Sequence, residues 1–380
     1  DSSVIMGSAE NRTILKAAGL FSPEFEKADE SDLLIAINAE DDAAGMAALQ
    51  AVDGLFKKIR TQKGQDATYT PKSLKSALTQ LPNANLALIS VAGKYAAEEA
   101  RKALDQNLHV MIFSDNVPLA EEIELKKKAA KKGLFVMGPD CGTAIINGVP
   151  LAFANVVNRG NVGIVAAAGT GLQEVSSILS NAGAGISQAI GTGGRDVKKE
   201  VGGVMFLQAL EALQQDRDTQ IIVLISKPPH PDVLKKIVAQ IKKSEKPVIA
   251  AFLGTDPDNI KGSGAMYAEN LEHAALMAAA LSQGQSPNVF QAELQQRNVR
   301  FEDLAHAEAG KKRKSQKYVR GLFSGGTLCA EAQVILRRAI GDIYSNVPLI
   351  PEMKLPNSFK SMKHSMVDFG EDEFTVSRPH

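Results

Sequence analysis

The chain has 380 residues, 44% of them hydrophobic and 23% charged, with 43 basic side chains against 43 acidic ones. Such a length exceeds one average domain, and this balance belongs to globular chains with a full core, which excludes a disordered protein. A net charge of zero leaves no overall field to draw the chain to nucleic acid or to an anionic membrane. The expected partners are therefore a small anionic substrate and other protein chains, as subunits of a hetero-complex or as copies of this one.

Cys141 and Cys329 are the two cysteines, far apart and without metal-ligand spacing. That excludes a disulfide framework or a zinc site and points to a reducing compartment, the cytoplasm. No apolar run reaches the ~18 residues of a membrane span, and no signal segment opens the chain. The first residue is Asp1, and the chain is read as lacking its natural start.

Short apolar runs alternate with longer segments of helical period, the pattern of β-α-β units whose parallel strands are buried on both faces. The first series predicts strands at 3–6, 33–37, 86–91, 110–113 and 134–137, with helices between them. Residues 95–104 place Ala and Leu on one helical face and Glu98, Glu99, Arg101 and Lys102 on the other. The polar stretch 61–70 reads as a loop insertion. After a connecting stretch at 150–160, strands are predicted at 162–165, 186–190, 221–225 and 248–252, with helices such as 231–242 and 271–281. From 282 to 317 the chain turns polar and carries the run Lys311, Lys312, Arg313 and Lys314, read as a solvated linker. A third unit begins at Tyr318, with strands predicted only near 321–323 and 365–369. Two strands make no independent sheet, so this unit is expected to be cut short or to dock on another subunit.

The third unit repeats the second. GIVAAAGTGLQEVSSIL at 163–179 and RGLFSGGTLCAEAQVIL at 320–336 align Gly169 with Gly326, Thr170 with Thr327, Glu174 with Glu331 and Leu179 with Leu336 at one constant offset. Both copies sit in the same strand-turn-helix context, so a duplicated unit is the better reading.

Where a parallel strand turns into a helix, the first helical amides lack internal partners and, with the helix dipole, can hold an anion if nearby side chains are small. Ala168, Gly169, Thr170 and Gly171 meet that condition, as do Ser324, Gly325, Gly326 and Thr327, whose hydroxyls add donors. Neither turn is GxGxxG or a Walker loop, and each glycine could equally serve only close packing. Gly193, Gly194, Arg195 and Asp196 follow the strand ending at Ile190, and Asp140 and Cys141 follow the one ending at Met137. Ligands of open α/β sheets bind at such carboxyl ends. Arg195 could clamp a carboxylate or phosphate, or pair with Asp196 or a neighbouring helix. Cys141 reads as buried packing, because no histidine is placed beside it in sequence. Lys227, on the proline-braced turn after 221–225, can set a point charge over an anion, and His230 is the histidine on a presumed site loop.

Together, GNVGIVAAAGTGLQEV, GTGGRD, DTQIIVLIS and EKPVIAAFLG resemble the ligase half of the succinyl-CoA synthetase α subunit. GPDCGTAIINGVPLAFAN is similar to the connection out of that subunit's CoA-binding domain. Adding NLALISVAG, VMIFSDNV, VMGPDCGT, ISKPP, GLFSGGTL and a terminal DFG-D-F-T-RPH, the chain is identified as a member of the FdrA family of acyl-CoA-synthetase-like proteins from about 86 to 380, with a looser match before that. The resemblance implies an α/β chain of successive Rossmann- or flavodoxin-like domains. These are a CoA-binding-type domain at 1–155, a ligase domain at 156–284, a linker at 285–317 and a partial second ligase domain at 318–380, with CoA or a nucleotide as the implied cofactor.

The departures from the synthetase pattern bear on the chemistry. The synthetase's phosphorylated histidine lies in a GHAGA segment, and here that stretch reads Lys261-Gly262-Ser263-Gly264-Ala265. Its supporting acid, in GEIGG, aligns with Ser226-Lys227-Pro228-Pro229, so an ammonium replaces a carboxylate. A phosphohistidine route needs an imidazole nucleophile. The resemblance instead implies an oxamate carbamoyltransferase of purine-ring nitrogen catabolism, in which the glycine-rich turns and Lys227 hold phosphate or carbamoyl phosphate and Arg195 holds the oxamate carboxylates. Its rivals are an ADP-forming acyl-CoA synthetase and a non-catalytic CoA- or nucleotide-binding regulatory subunit.

Overall fold

The computed structural model describes residues 2–29, 32–65 and 71–375. The chain divides into two compact units, Asp1–Leu81 and Pro82–His380.

In the first unit β1 (Ser2–Met6) runs antiparallel to β2 (Leu33–Ile37). Between them lies α1 (Ala9–Ala17), started by the Ser8 hydroxyl, which accepts the Asn11 N–H. Two helices follow, α2 (Asp42–Gln65) and α3 (Leu74–Gln80). The core is small: Leu15, Leu34 and Ala36, with Ile5, Leu20, Phe21, Phe25 and Ala28 packed around them. Two expectations are corrected here. Residues 1–155 do not form one parallel-sheet domain, because β1 and β2 pair antiparallel with each other and the compact unit closes at Leu81. An apolar run announces a strand but not its partner or its direction. Residues 61–65, expected as loop, continue α2, whose Lys-, Arg- and Gln-rich end favours helix despite Gly64, while 66–70 lie outside the described residues.

The second unit opens with β3 (Leu86–Ile89), α4 (Gly93–Asp105), β4 (His109–Ile112), α5 (Leu119–Lys131) and β5 (Val136–Met137), whose strands form a parallel sheet ordered β3-β4-β5. A hairpin follows, β6 (Thr143–Ile146) and β7 (Val149–Ala152). Next come β8 (Arg159–Ala166), α6 (Gly169–Asn181), β9 (Ile186–Gly191), α7 (Val204–Gln215), β10 (Ile221–Ser226), α8 (Pro231–Ile241), β11 (Val248–Phe252), β12 (Met266–Tyr267) and α9 (Leu271–Ser282). They build a seven-stranded sheet ordered β12-β11-β10-β8-β9-β6-β7, parallel except where β6 meets β9 and β7. All six residues of β10 are buried, which is why the run reads as unbroken hydrophobicity rather than alternation. Apolar clusters cover both faces of this sheet, one around Ile164, Leu172 and Ala275, the other around Val165, Phe206 and Ile237.

The expected cut at 155/156 also needs moving. Residues 143–152 already pair in the seven-stranded sheet, because the hairpin folds back onto β9. The expected linker at 285–317 contains a 19-residue helix, α10 (Gln291–Ala309), anchored by buried Leu294 and by Arg297, which donates to both Glu272 oxygens at 2.6 Å. Its Gln, Glu, Ala and Arg residues are helix formers, but only one buried leucine marks the inner face, so its period is faint. The last part holds β13 (Arg320–Phe323), α11 (Gly326–Ile340), β14 (Tyr344–Ser345) and β15 (Ser365–Asp368), a parallel sheet ordered β13-β15-β14. The third strand, β14, is only two residues long and carries no apolar run that sequence reading would catch.

Candidate functional site

The repeat becomes a pair of matched turns. β8 ends at Ala166 and α6 starts at Gly169, while β13 ends at Phe323 and α11 starts at Gly326. The residues before the two helices, Ala168 (φ −165°, ψ 100°) and Gly325 (φ −158°, ψ 112°), share one extended geometry and give no side-chain cap. The first amides of both helices therefore stay available to a ligand. These two helix starts lie against each other. A Cβ on Gly325 would come within 2.5 Å of Thr170 Cγ2, and one on Gly171 within 2.9 Å of Thr327 Cγ2. Small residues are thus required on both sides of the contact. Farther along the helices Glu331 accepts the Leu271 N–H at 2.7 Å. Burial pushes its pKa up, and the charge of Glu174, its counterpart in the repeat, adds to that.

Beside the two helix starts opens a cleft of about 610 Å3. Its wall includes Ala168, Gly169, Thr170, Gly194, Ser324, Gly325, Gly326 and Thr327, together with Lys227, Asp140 and Asp368. Lys227 leaves the end of β10, and its Nζ lies 2.6 Å from the point a Cβ on Gly326 would occupy. Asp368 Oδ2 lies 2.6 Å from that same point. The side chain at 326 has to be hydrogen for both charged groups to reach the helix start. Away from this end the wall continues through Ser90, Val91 and Ala92 and the edge-to-face pair Phe113 and Phe153, 4.9 Å between centroids. Among the described residues, no histidine or cysteine lines the cleft, and the 261–265 turn is not on its wall.

The remaining predicted residues lie elsewhere. Gly171 is buried as the third residue of α6, and Gly193 (φ +84°) packs onto the Pro139 carbonyl, where a Cβ would sit 2.5 Å away. Arg195 is no substrate clamp in this cleft. Its Nε pairs with Glu122 Oε2 at 2.7 Å, a terminal N–H donates to the Val117 carbonyl at 2.8 Å, and it borders an adjoining cleft of about 640 Å3 that shares Gly194, Lys227 and Asp140 with the first. Asp196 is buried, accepting from Lys126 Nζ at 2.9 Å and from the Phe206 N–H at 2.7 Å, so it starts α7 rather than meeting ligand. His230 starts α8 by accepting the Asp232 N–H at 3.2 Å. Each of these side chains is absorbed by local partners that linear spacing does not reveal. Cys141 is buried as expected, donates to the Gly191 carbonyl at 3.3 Å, and burial pushes its thiol up to about 12. Sequence reading missed Asp368 as a cleft residue, although the DFG motif containing it was in view.

Residues 157–254 match the CoA binding domain family, and residues 1–71 match the AllF heavy metal-associated domain. The uncharacterized protein YahF of Escherichia coli is 43% identical over 377 residues, 99% of this chain and 72% of that protein. The chain belongs to the FdrA family of acyl-CoA-synthetase-like proteins. This FdrA-family chain is also 27% identical over 176 residues to the ADP-forming succinate–CoA ligase subunit alpha 1 of Archaeoglobus fulgidus. That stretch is 45% of the chain and 59% of the ligase subunit, so less than two thirds of the subunit is spanned. ATP citrate lyase of Methanosaeta concilii, solved with citryl-CoA, aligns over 56% of this chain and 41% of its own at 18% identity and a TM-score of 0.47. The CoA binding match falls on the seven-stranded sheet, whereas the resemblance put CoA binding at 1–155. Residues 1–71 contain no cysteine or histidine, and no group of three or more His, Cys, Asp or Glu side chains placed to hold a metal occurs among the described residues. No helix among them is long and apolar enough to cross a membrane.

Proposed function

We propose that the chain carries a carbamoyl group between phosphate and an amide acceptor, interconverting oxalurate plus phosphate with oxamate plus carbamoyl phosphate. One observation supports this most: the cleft joins two uncapped helix starts and the Lys227 ammonium, and among the described residues no histidine stands on its wall. Two helix starts and one cation hold a phosphate dianion, and on this reading the phosphate itself is the nucleophile. An oxygen of hydrogen phosphate attacks the ureido carbonyl carbon, a C–O bond forms, the C–N bond to oxamate breaks, and the phosphate proton ends on the leaving nitrogen. Positioning and charge stabilisation by the backbone amides and Lys227 supply the acceleration.

The CoA binding match favours a second reading, an acyl-CoA ligase subunit. CoA would supply a thiol as acyl acceptor, and the wall formed by Ser90, Val91, Ala92, Phe113 and Phe153 suits an extended, partly apolar arm. Both readings meet one experiment. The purified protein is given oxalurate and phosphate and assayed for carbamoyl phosphate, then given ATP, CoA and a dicarboxylate and assayed for ADP and thioester. Carbamoyl phosphate without any acid-labile phosphoprotein supports the first reading. Thioester formation with a phosphohistidine would sink it.

A further inference from the structure

The reaction leaves one task unassigned. A proton has to travel from hydrogen phosphate to the leaving nitrogen, and the Lys227 ammonium has no lone pair to take it. Among the described residues four carboxylates stand on the cleft wall, those of Asp115, Asp140, Asp368 and Glu371. Three of these residues are exposed; Asp368 is 2% exposed. Its place is set by the end of β15 and by Asn346, whose Oδ1 accepts the Asp368 N–H at 2.9 Å and whose Nδ2 donates to the Asp368 carbonyl at 2.8 Å. One carboxylate oxygen, Oδ1, accepts the Gly370 N–H at 2.9 Å, closing the DFG turn. The other, Oδ2, faces the start of α11 beside Lys227 Nζ, each 2.6 Å from the Cβ position of Gly326.

We infer that Asp368 is the acid–base group of this cleft. Resting on the carbamoyl-transfer reading, it takes the proton of hydrogen phosphate through Oδ2 as the phosphate oxygen attacks, and returns it to the oxamate nitrogen as the C–N bond breaks. The carboxylate begins and ends ionised, so the step balances with no other reagent. Lys227 remains protonated and holds the dianion next to the carboxylate that would otherwise repel it. The titratable groups around Asp368 are Lys227 from the β10 turn, Cys329 from α11, Glu371 of its own turn, Glu373 beside Asn346, and Asp140 on the cleft wall. A turn-closing role alone would use only Oδ1.

Asp368→Asn separates the two roles, since the amide oxygen still accepts the Gly370 N–H while the base is lost. It should melt like the wild type, bind inorganic phosphate about 3- to 10-fold more tightly by calorimetry because a neighbouring negative charge is gone, and form carbamoyl phosphate about 100- to 10,000-fold more slowly. Asp368→Glu, which keeps a carboxylate, should retain clearly more of the wild-type rate than Asp368→Asn. An Asp368→Asn variant keeping a tenth of the rate, or running no slower than Asp368→Glu, overturns the inference while the carbamoyl-transfer reading stands. A wild type that makes no carbamoyl phosphate overturns that reading and this role with it. Unchanged phosphate affinity in Asp368→Asn would show, independently of turnover, that the carboxylate does not face the anion.

Discussion

Thr170 at the start of α6 packs directly on the backbone of Gly325, the residue that leads into α11, leaving 2.5 Å between its Cγ2 and the place of a Cβ. A methyl group cannot enter that gap unless the two helix starts separate. Gly325→Ala should cost about 1 to 3 kcal/mol by overpacking and weaken phosphate binding, read by denaturant unfolding and calorimetry. Gly169, its neighbour across the contact, meets nothing within 4 Å of a Cβ. Gly169→Ala should therefore fold as stably as the wild type or slightly better, since alanine is the stronger helix former. Equal damage from both variants would mean that strain spread over both turns, rather than this contact, sets the cost.

Lys227 stands over the start of α11, on the wall of the same cleft as Thr170. A point charge beside a partly desolvated phosphate contributes about 2 to 3 kcal/mol. Lys227→Ala should weaken phosphate or carbamoyl phosphate binding roughly 30- to 100-fold with little change in melting temperature, and Lys227→Glu should be worse through repulsion. Wild-type binding by both variants, measured by calorimetry, would return Lys227 to the role of a surface cation.

Beneath the loop that brings Gly194 to the cleft lies a fully buried ion network. Lys126 Nζ donates to Glu122 Oε1 at 2.8 Å, to the Thr192 carbonyl at 2.8 Å and to Asp196 Oδ1 at 2.9 Å, using all three of its N–H groups. Lys126→Met would leave the Asp196 carboxylate buried without its cation and Glu122 with Arg195 alone. The expected loss is about 3 to 5 kcal/mol, read from the denaturation midpoint. Glu122→Gln, which retains an acceptor, should cost clearly less.

Burial holds the Cys141 thiol neutral, its pKa raised from 9.0 to about 12. The folded state binds that proton more tightly than the unfolded chain, so the associated stability is fully present below pH 9 and is lost as pH rises toward 12. The loss approaches about 1.4 kcal/mol per pH unit within that window. Cys141→Ala should flatten the fall by that amount when unfolding curves at pH 8 and pH 10.5 are compared. A thiol reagent at pH 8 should label Cys141 only after denaturant is added, and rapid labelling of the native protein would contradict its burial.

Much of this organisation was legible in the sequence because the signals are local. The runs at 33–37 and 248–252 are strands with the bounds their apolar residues suggest, and the constant-offset repeat does place Gly169 and Gly326 at helix starts. Side-chain partners across long separations were not legible. Arg195 reads as a free clamp until Glu122 is found beside it, and Asp196 as a ligand until Lys126 arrives from another helix.

By itself the sequence determined the α/β class, the family and the two glycine-rich turns, since strand hydrophobicity, helical period and the need for small residues at a sharp turn are each written within a few neighbouring positions. Tertiary structure alone decided that β1 pairs antiparallel with β2, that the two turns face each other, and that Asp368 joins Lys227 over Gly326. Strand partners and charge pairs depend on where distant segments meet in space, and that distance is a property of the packed core rather than of any stretch of chain.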